Sequence, residues 1–374
     1  MSHKQHRDQR SARLTTHPQG DPAIPSIPST TSTGNTSNSA SPLLEGLITN
    51  GSRGRYQVET ASGAFWCVLR GRLRKELIYP ESASARRAAH RVTVREGDPV
   101  AIGDRVWLLP TGAGEGVIER IAPRVGAALA RQDPNPGRAA KRPLTSVSGL
   151  DQLVIVFAAR EPAPHPRLAD RFIALAEAQS AAVILCVNKA DQGIEPWLDA
   201  RLQIYTRLGY HVLRTSAATG NGVEALRGLL AGRVSAFAGP SGVGKSSLLN
   251  ALEPELALRV SAISASTGKG RHTTSGAQLI PLAGPGGGWI ADTAGIRALA
   301  LNPATLDNLP ETFREFRPYL GACAFSDCRH LAEPGCAIHA ALRAGAIDFV
   351  RYDSYHRLAI GLPASAGLIP PPTA

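Results

Sequence analysis

The chain has 374 residues, 43% of them hydrophobic, and carries 41 Lys and Arg against 30 Asp and Glu, a formal charge of +11. That length gives room for two or three domains and a sizeable core. No apolar run approaches the roughly 18–20 residues that span a bilayer, and the opening MSHKQHRDQRSARL lacks the apolar centre of a secretory signal. These features predict a soluble, cytoplasmic, monomeric protein with no membrane partner. The charge is uneven: residues 1–145 hold 21 basic and 12 acidic residues, whereas the remainder hold 20 and 18. A basic N-terminal part suits a polyanionic partner such as nucleic acid.

Residues 1–42 are rich in Ser, Thr, Pro, Asn and Gly, and the composition predicts a disordered tail. From 43 to 125, short runs with period-two alternation are separated by Gly, Asn and Pro. Candidate strands are Glu45–Thr49, Tyr56–Thr60, Ala64–Gly71, Asp104–Leu109 and Gly116–Ile121. The expected fold is a small antiparallel barrel, OB-like or SH3-like, with an Ala- and Arg-rich insertion at Glu81–Arg95. Pro134, Pro136, Gly137 and Pro143 predict a linker over 126–149. From 150 to 298, apolar runs such as Leu153–Ala159 and Ala181–Val187 alternate with helical stretches such as Pro166–Gln179. That rhythm predicts a parallel sheet covered on both faces. Residues 299–374 hold a Cys/His cluster and a mainly helical C-terminus.

The phosphate motif is Gly239-Pro240-Ser241-Gly242-Val243-Gly244-Lys245-Ser246, followed by Ser247. It follows the apolar Val234–Phe237 and precedes a helical run, the context that G-x-x-x-x-G-K-[ST] requires. Its glycines let backbone N–H groups turn inward on a phosphate, and the helix N-terminus adds partial positive charge. Lys245 is expected to reach the β- and γ-phosphates, as a catalytic charge, and Ser246 to ligate Mg²⁺. Asn188-Lys189-Ala190-Asp191 selects the base. A carboxylate at Asp191 can accept both donors on the guanine edge, and adenine lacks that pair. Lys189 can lay its stem along the base and Asn188 can hold the loop. At Thr215-Ser216-Ala217 a backbone N–H can meet guanine O6. Asp292-Thr293-Ala294-Gly295 supplies D-x-x-G: Asp292 can hold Mg²⁺ through water and the Gly295 N–H can sense the γ-phosphate. Between these elements, Gly268–Thr274 reads as a switch loop, with Thr273 or Thr274 completing the Mg²⁺ shell. GTP and GDP, with Mg²⁺, are therefore the expected ligands.

The order NKAD, TSA, GPSGVGKS, GRHTT, DTAG resembles the circularly permuted GTPases. With the barrel before it and the Cys/His cluster after it, the chain resembles the ribosome small-subunit-dependent GTPase A family over roughly residues 44–355. The resemblance implies a GTPase that acts in late maturation of the small ribosomal subunit. It also implies contact with the subunit and its rRNA through the OB barrel and a zinc domain, and stimulation of hydrolysis by the subunit. It implicates His272 in catalysis. Many GTPases place Gln directly after D-x-x-G, but here that position is Ile296, which cannot orient water. His272 is the expected substitute, or else a switch contact to RNA. The alternative function is a nucleotide-controlled RNA-binding module with negligible turnover. Three departures stand out: DTAG where the family commonly has DSPG, the insertion, and the tail.

Cys323-x4-Cys328-x-His330-x5-Cys336 offers three thiolates and an imidazole, the donor set of a closed structural zinc site. It also resembles the family's zinc motif position for position. Cys67 and Cys186 lie in strand patterns and read as core residues. Because the chain runs from D-x-x-G directly into Arg297–Leu320, loss of a γ-phosphate is expected to move the C-terminal module.

Overall fold

A computed structural model of the chain describes residues 42–52, 54–73, 100–131, 144–254, 278–292 and 308–361. The tail 1–41, the insertion 81–95 and the switch segment with His272, Thr273, Thr274 and Gly295 lie outside the described residues. Strands β1 (Leu44–Ser52), β2 (Arg55–Thr60), β3 (Gly63–Leu69), β4 (Arg105–Gly112) and β5 (Glu115–Ile121) form a closed barrel in the order β1-β2-β3-β5-β4. Its one parallel pairing, β3 with β5, gives the OB topology rather than the SH3-like alternative. Alternation decides which residues enter the barrel: Ile48, Tyr56, Val58, Cys67, Val106, Leu108 and Ile118 are all buried.

The stretch read as a linker is partly a hairpin. Strand β6 (Ala127–Arg131) pairs antiparallel with β7 (Leu144–Leu150). The prolines that suggested a linker fall between the two strands, so they concealed the short apolar runs on either side. Asp104 ties this hairpin to the barrel: its buried carboxylate accepts from the Ala101 N–H at 2.8 Å, from Ser148 Oγ at 2.5 Å and from Arg124 Nε at 2.8 Å.

The central sheet has the order β10-β9-β8-β11-β13-β12. Strands β8 (Gln152–Ala158), β9 (Ala182–Asn188), β10 (His211–Arg214), β11 (Val234–Ala238) and β13 (Trp289–Asp292) are parallel, and β12 (Gln278–Pro281) is antiparallel at the edge. Every residue of β8 and β11 is buried, as expected for parallel strands covered on both faces. Helices α1 (Pro166–Glu177), α2 (Pro196–Arg207) and α3 (Val223–Leu230) connect successive strands, and α4 (Lys245–Leu252) follows β11. The chain moves outward from β8 through β9 to β10, then returns to β11 on the other side of β8. That reversal makes a crevice at the carboxyl ends of β8 and β11, where open α/β sheets bind ligands.

The C-terminal module contains two 3-10 helices, Leu309–Thr312 and Arg314–Tyr319, then α5 (Ala337–Arg343) and α6 (Phe349–Ala359). Phe313, Phe316, Ile338, Tyr352 and Tyr355 form its core. Asp348 caps α6 by accepting from the Val350 and Arg351 N–H groups at 3.0 and 3.1 Å. The module is bound to α1 and α2 by buried charges. Arg351, 1% exposed, lies between Asp170 at 2.6 Å and Glu315 at 2.5 Å. Arg201 of α2 pairs with Asp348, and Arg167 of α1 lies 2.8 Å from Asp353. Glu177 accepts from Arg314 and Arg317, both at 2.7 Å. Cys67 and Cys186 are buried, and burial pushes their thiols up, to about 11 and about 12.

Candidate functional site

Three loops leave the carboxyl ends of β11, β9 and β10 and converge on one side chain. The loop after β11 holds Gly239–Gly244 and opens into α4. Its curl requires glycine: Gly239 has φ +140°, and a Cβ there would meet the Val156 carbonyl oxygen at 2.0 Å. Gly244 has φ +89°, and a Cβ would meet Asn188 Nδ2 at 2.4 Å. Val243 is fully buried under the loop with Leu248 and Leu252, which fixes the loop to the core. Ser241, Gly242, Ser246 and Ser247 are exposed on its outer side, and Gly239 and Pro240 are half-buried. Lys245 Nζ points into the curl and donates to the Gly239 and Pro240 carbonyls, both at 2.7 Å. Burial lowers its pKa from the ordinary lysine value.

Asn188, at the end of β9, is 1% exposed. Its Nδ2 donates to the Val243 carbonyl at 3.0 Å and to the Gly244 carbonyl at 3.4 Å. Its Oδ1 accepts from Thr215 Oγ1 at 3.3 Å and from the Ala217 N–H at 3.2 Å. One carboxamide thus joins all three loops. The chain then turns through Lys189, at φ 59°, into a 3-10 helix, Ala190–Gln192, that leaves Asp191 exposed. Lys189 Nζ donates to the Glu161 carbonyl at 2.7 Å.

The third loop has its backbone donors engaged within the protein. The Thr215 N–H donates to Val187, the Ser216 N–H to Asn221 at 2.9 Å, and the Ala217 N–H to Asn188. Every backbone donor of Thr215-Ser216-Ala217 is therefore engaged. The Ala217 bond, at 3.2 Å, is the longest of them. Ser216 is 1% exposed, and its Oγ accepts from the Thr219 N–H at 3.2 Å. Asp292 ends β13, beside β11, so its backbone reaches the same edge of the sheet.

A second site lies in the C-terminal module. The donor atoms of Cys323, Cys328, His330 and Cys336 lie within 4.8 Å of one another. The Cys323 and Cys336 sulfurs are each 3.5 Å from His330 Nδ1. A tetrahedral ion with metal–sulfur bonds of about 2.3 Å and metal–nitrogen bonds of about 2.0–2.1 Å separates S and N by roughly 3.5 Å, so these two sulfurs and His330 Nδ1 are spaced as ligands of one ion. Glu333, which no motif indicated, shapes the loop. Its carboxylate accepts from the Arg329, Leu331 and Ala332 N–H groups at 3.1, 2.8 and 3.1 Å. Burial would raise its pKa, but these bonds more than reverse that, to about 2. Behind the loop, Tyr352 OH donates to the His330 carbonyl at 3.0 Å and lies 2.7 Å from His339 Nε2.

The comparisons with known proteins agree with this geometry. Residues 128–302 match the RsgA GTPase family model. A small ribosomal subunit biogenesis GTPase RsgA from Moorella thermoacetica is 40% identical over 83% of this chain and 95% of its own. The protein of the same name from Gemmatimonas aurantiaca is 43% identical over 84% of this chain and 95% of its own. Among solved structures, YjeQ from Thermotoga maritima superposes with a TM-score of 0.64 at 30% identity, covering 86% of this chain and 98% of that one. YloQ, described as a circularly permuted GTPase, gives 0.62 at 27% identity, covering 88% and 98%. The resemblance read from motif order therefore holds over most of the chain, which belongs to the RsgA GTPase family.

Proposed function

We propose that this protein binds GTP in the crevice at the ends of β8, β9 and β11 and hydrolyses it to GDP and phosphate during late maturation of the small ribosomal subunit. In this reading the subunit stimulates the activity. The observation that carries the nucleotide part is Asn188, whose carboxamide joins the phosphate loop to the base loop and to Ala217. The names of the relatives carry the ribosomal part.

Residues 239–247 wrap the phosphates, and Lys245 exchanges its two loop carbonyls for phosphate oxygens. Asp191 pairs with the guanine edge, Lys189 lies along the base, and the Ala217 N–H shares itself with O6. Ser246, exposed on the first turn of α4, holds Mg²⁺ together with Thr273 or Thr274 and, through water, Asp292. When bound there, Mg²⁺ would supply charge stabilisation to the transferring phosphoryl group. Gly295 senses the γ-phosphate and His272 orients water. Zn²⁺ is the ion of the Cys323, Cys328, His330 and Cys336 site, because a Cys₃His set closes a tetrahedral structural centre. The barrel and the metal module contact rRNA, and the protein works as a single chain in the cytoplasm.

A second reading rests on Ile296, which occupies the position where a water-orienting glutamine commonly stands. It makes the protein a nucleotide-controlled RNA-binding module with negligible turnover.

Base recognition is tested by displacing labelled GDP with GTP, ATP and XTP. GTP should compete on the wild type and ATP should not. Xanthine carries a carbonyl where guanine carries the amine, so Asp191→Asn should lose GTP affinity by roughly 10- to 100-fold and gain XTP. Equal competition by ATP and GTP on the wild type would overturn the guanine assignment.

A further inference from the structure

The base turn from Asn188 to Glu195 is held by a segment that no motif contains. Arg160, Glu161 and Pro162 leave the end of β8 and pass over the turn. The Ala159 N–H donates to the Asn188 carbonyl at 2.8 Å. Lys189 Nζ donates to the Glu161 carbonyl at 2.7 Å. Arg160 Nη2 lies 2.7 Å from Glu195 Oε1. The same guanidinium lies along Gly193, where a Cβ would come within 3.7 Å of Nη2. On the other side, a Cβ at Gly242 of the phosphate loop would lie 3.7 Å from Pro162 Cδ. One short segment thus contacts both ends of the turn that carries Asp191, and its Pro162 lies beside the phosphate loop.

We propose that Arg160–Pro162 is a strap that clamps the base turn at both ends, with Arg160 as a positioning residue for guanine recognition. The inference rests on the guanine reading above and deepens it. Asp191 lies in a 3-10 helix bounded by Lys189 and Gly193. Its own side chain is exposed, so the turn alone sets where the carboxylate points. Lys189 fixes the entry of that turn through Glu161, and Arg160 fixes its exit through Gly193 and Glu195. A loosened exit lets Asp191 drift from its two-bond geometry with the base. The consequence is faster release of GDP and weaker discrimination against hypoxanthine, which lacks the exocyclic amine.

The Arg160–Glu195 pair is half-exposed, at 52% and 44%, which limits its effect. Exposed pairs of this kind change a rate or an equilibrium by about two- to fivefold, and salt screens them. The two backbone contacts persist when Arg160 is replaced, so the fold should be unaffected.

The test is stopped-flow release of fluorescent GDP from the full-length chain, with IDP affinity measured alongside. Arg160→Ala and Glu195→Gln should each speed release by roughly two- to fivefold at low salt, with smaller differences at high salt. The double variant should release no faster than the faster single variant, and Arg160→Lys should restore part of the loss. The ratio of GDP to IDP affinity should fall in Arg160→Ala while the unfolding midpoint stays put. Unchanged release rates, additive single effects or an unchanged base ratio would overturn the strap. If the wild type fails to bind GDP, the guanine reading falls with it. If the wild type binds and the variants match it, the strap alone falls.

Discussion

Asn188 does more than its motif suggests. The sequence showed a strand-end asparagine able to hold a loop, but not which loops. Its partners lie 27 to 56 residues away, and such pairings are set by strand order rather than by local pattern. Asn188→Ala would leave the Val243 carbonyl and the Ala217 N–H without their side-chain partner, while the Thr215 hydroxyl keeps Cys186 Sγ at 3.1 Å. Each such loss costs about 1–3 kcal/mol. Guanine-nucleotide affinity should therefore fall by roughly 10- to 100-fold, because the three loops no longer share a fixed geometry. Titration calorimetry with GDP measures this, and unchanged affinity would show that the loops hold themselves. The curl of the phosphate loop was legible because the spacing of its glycines and Lys245 is itself the geometry. The engaged N–H of Ala217 was not, because its acceptor is a side chain on another strand.

At the scale of elements, the strands of the barrel and the sheet were legible from alternation and from buried apolar runs. The β6–β7 hairpin was not, because the residues between its strands carry the linker-like prolines. The face joining α1 and α2 to the C-terminal module was also hidden, since charged residues ordinarily predict a solvated surface. Here they form a buried lattice around Asp170, which is fully buried and accepts from Arg351, from Tyr205 OH at 2.8 Å and from Ser354 Oγ at 2.5 Å. Removing one partner of such a lattice leaves uncompensated charge. Asp170→Ala should destabilise the protein by about 3–5 kcal/mol, measured by urea unfolding. A loss below about 1 kcal/mol would mean that water screens these charges. The lattice also bears on how γ-phosphate loss could move the C-terminal module. The module is fastened to α1 and α2, so a nucleotide-driven movement has either to carry those helices with it or to break those pairs.

The described residues join an OB barrel, a permuted parallel sheet and a C-terminal module with a Cys₃His cluster. Permutation changes the order in which the chain visits the loops and leaves their neighbours unchanged. That is why the described motifs at the ends of β9, β10 and β11 still meet at one crevice. The barrel and the sheet share one hydrophobic cluster, in which Ile48 and Val106 join Leu153 and Leu279. A macromolecule held by the barrel is therefore held by a body continuous with the nucleotide crevice. The central claim is that this crevice hydrolyses GTP in response to the small ribosomal subunit. The direct measurement is steady-state GTP turnover by the wild-type protein alone, with purified small subunits and with purified large subunits. Lys245→Ala serves as the chemical control. Small subunits should raise turnover by a factor on the order of 10², the usual worth of an oriented proton-transfer group, large subunits should not, and Lys245→Ala should abolish the response. Equal turnover under all three conditions would contradict the account.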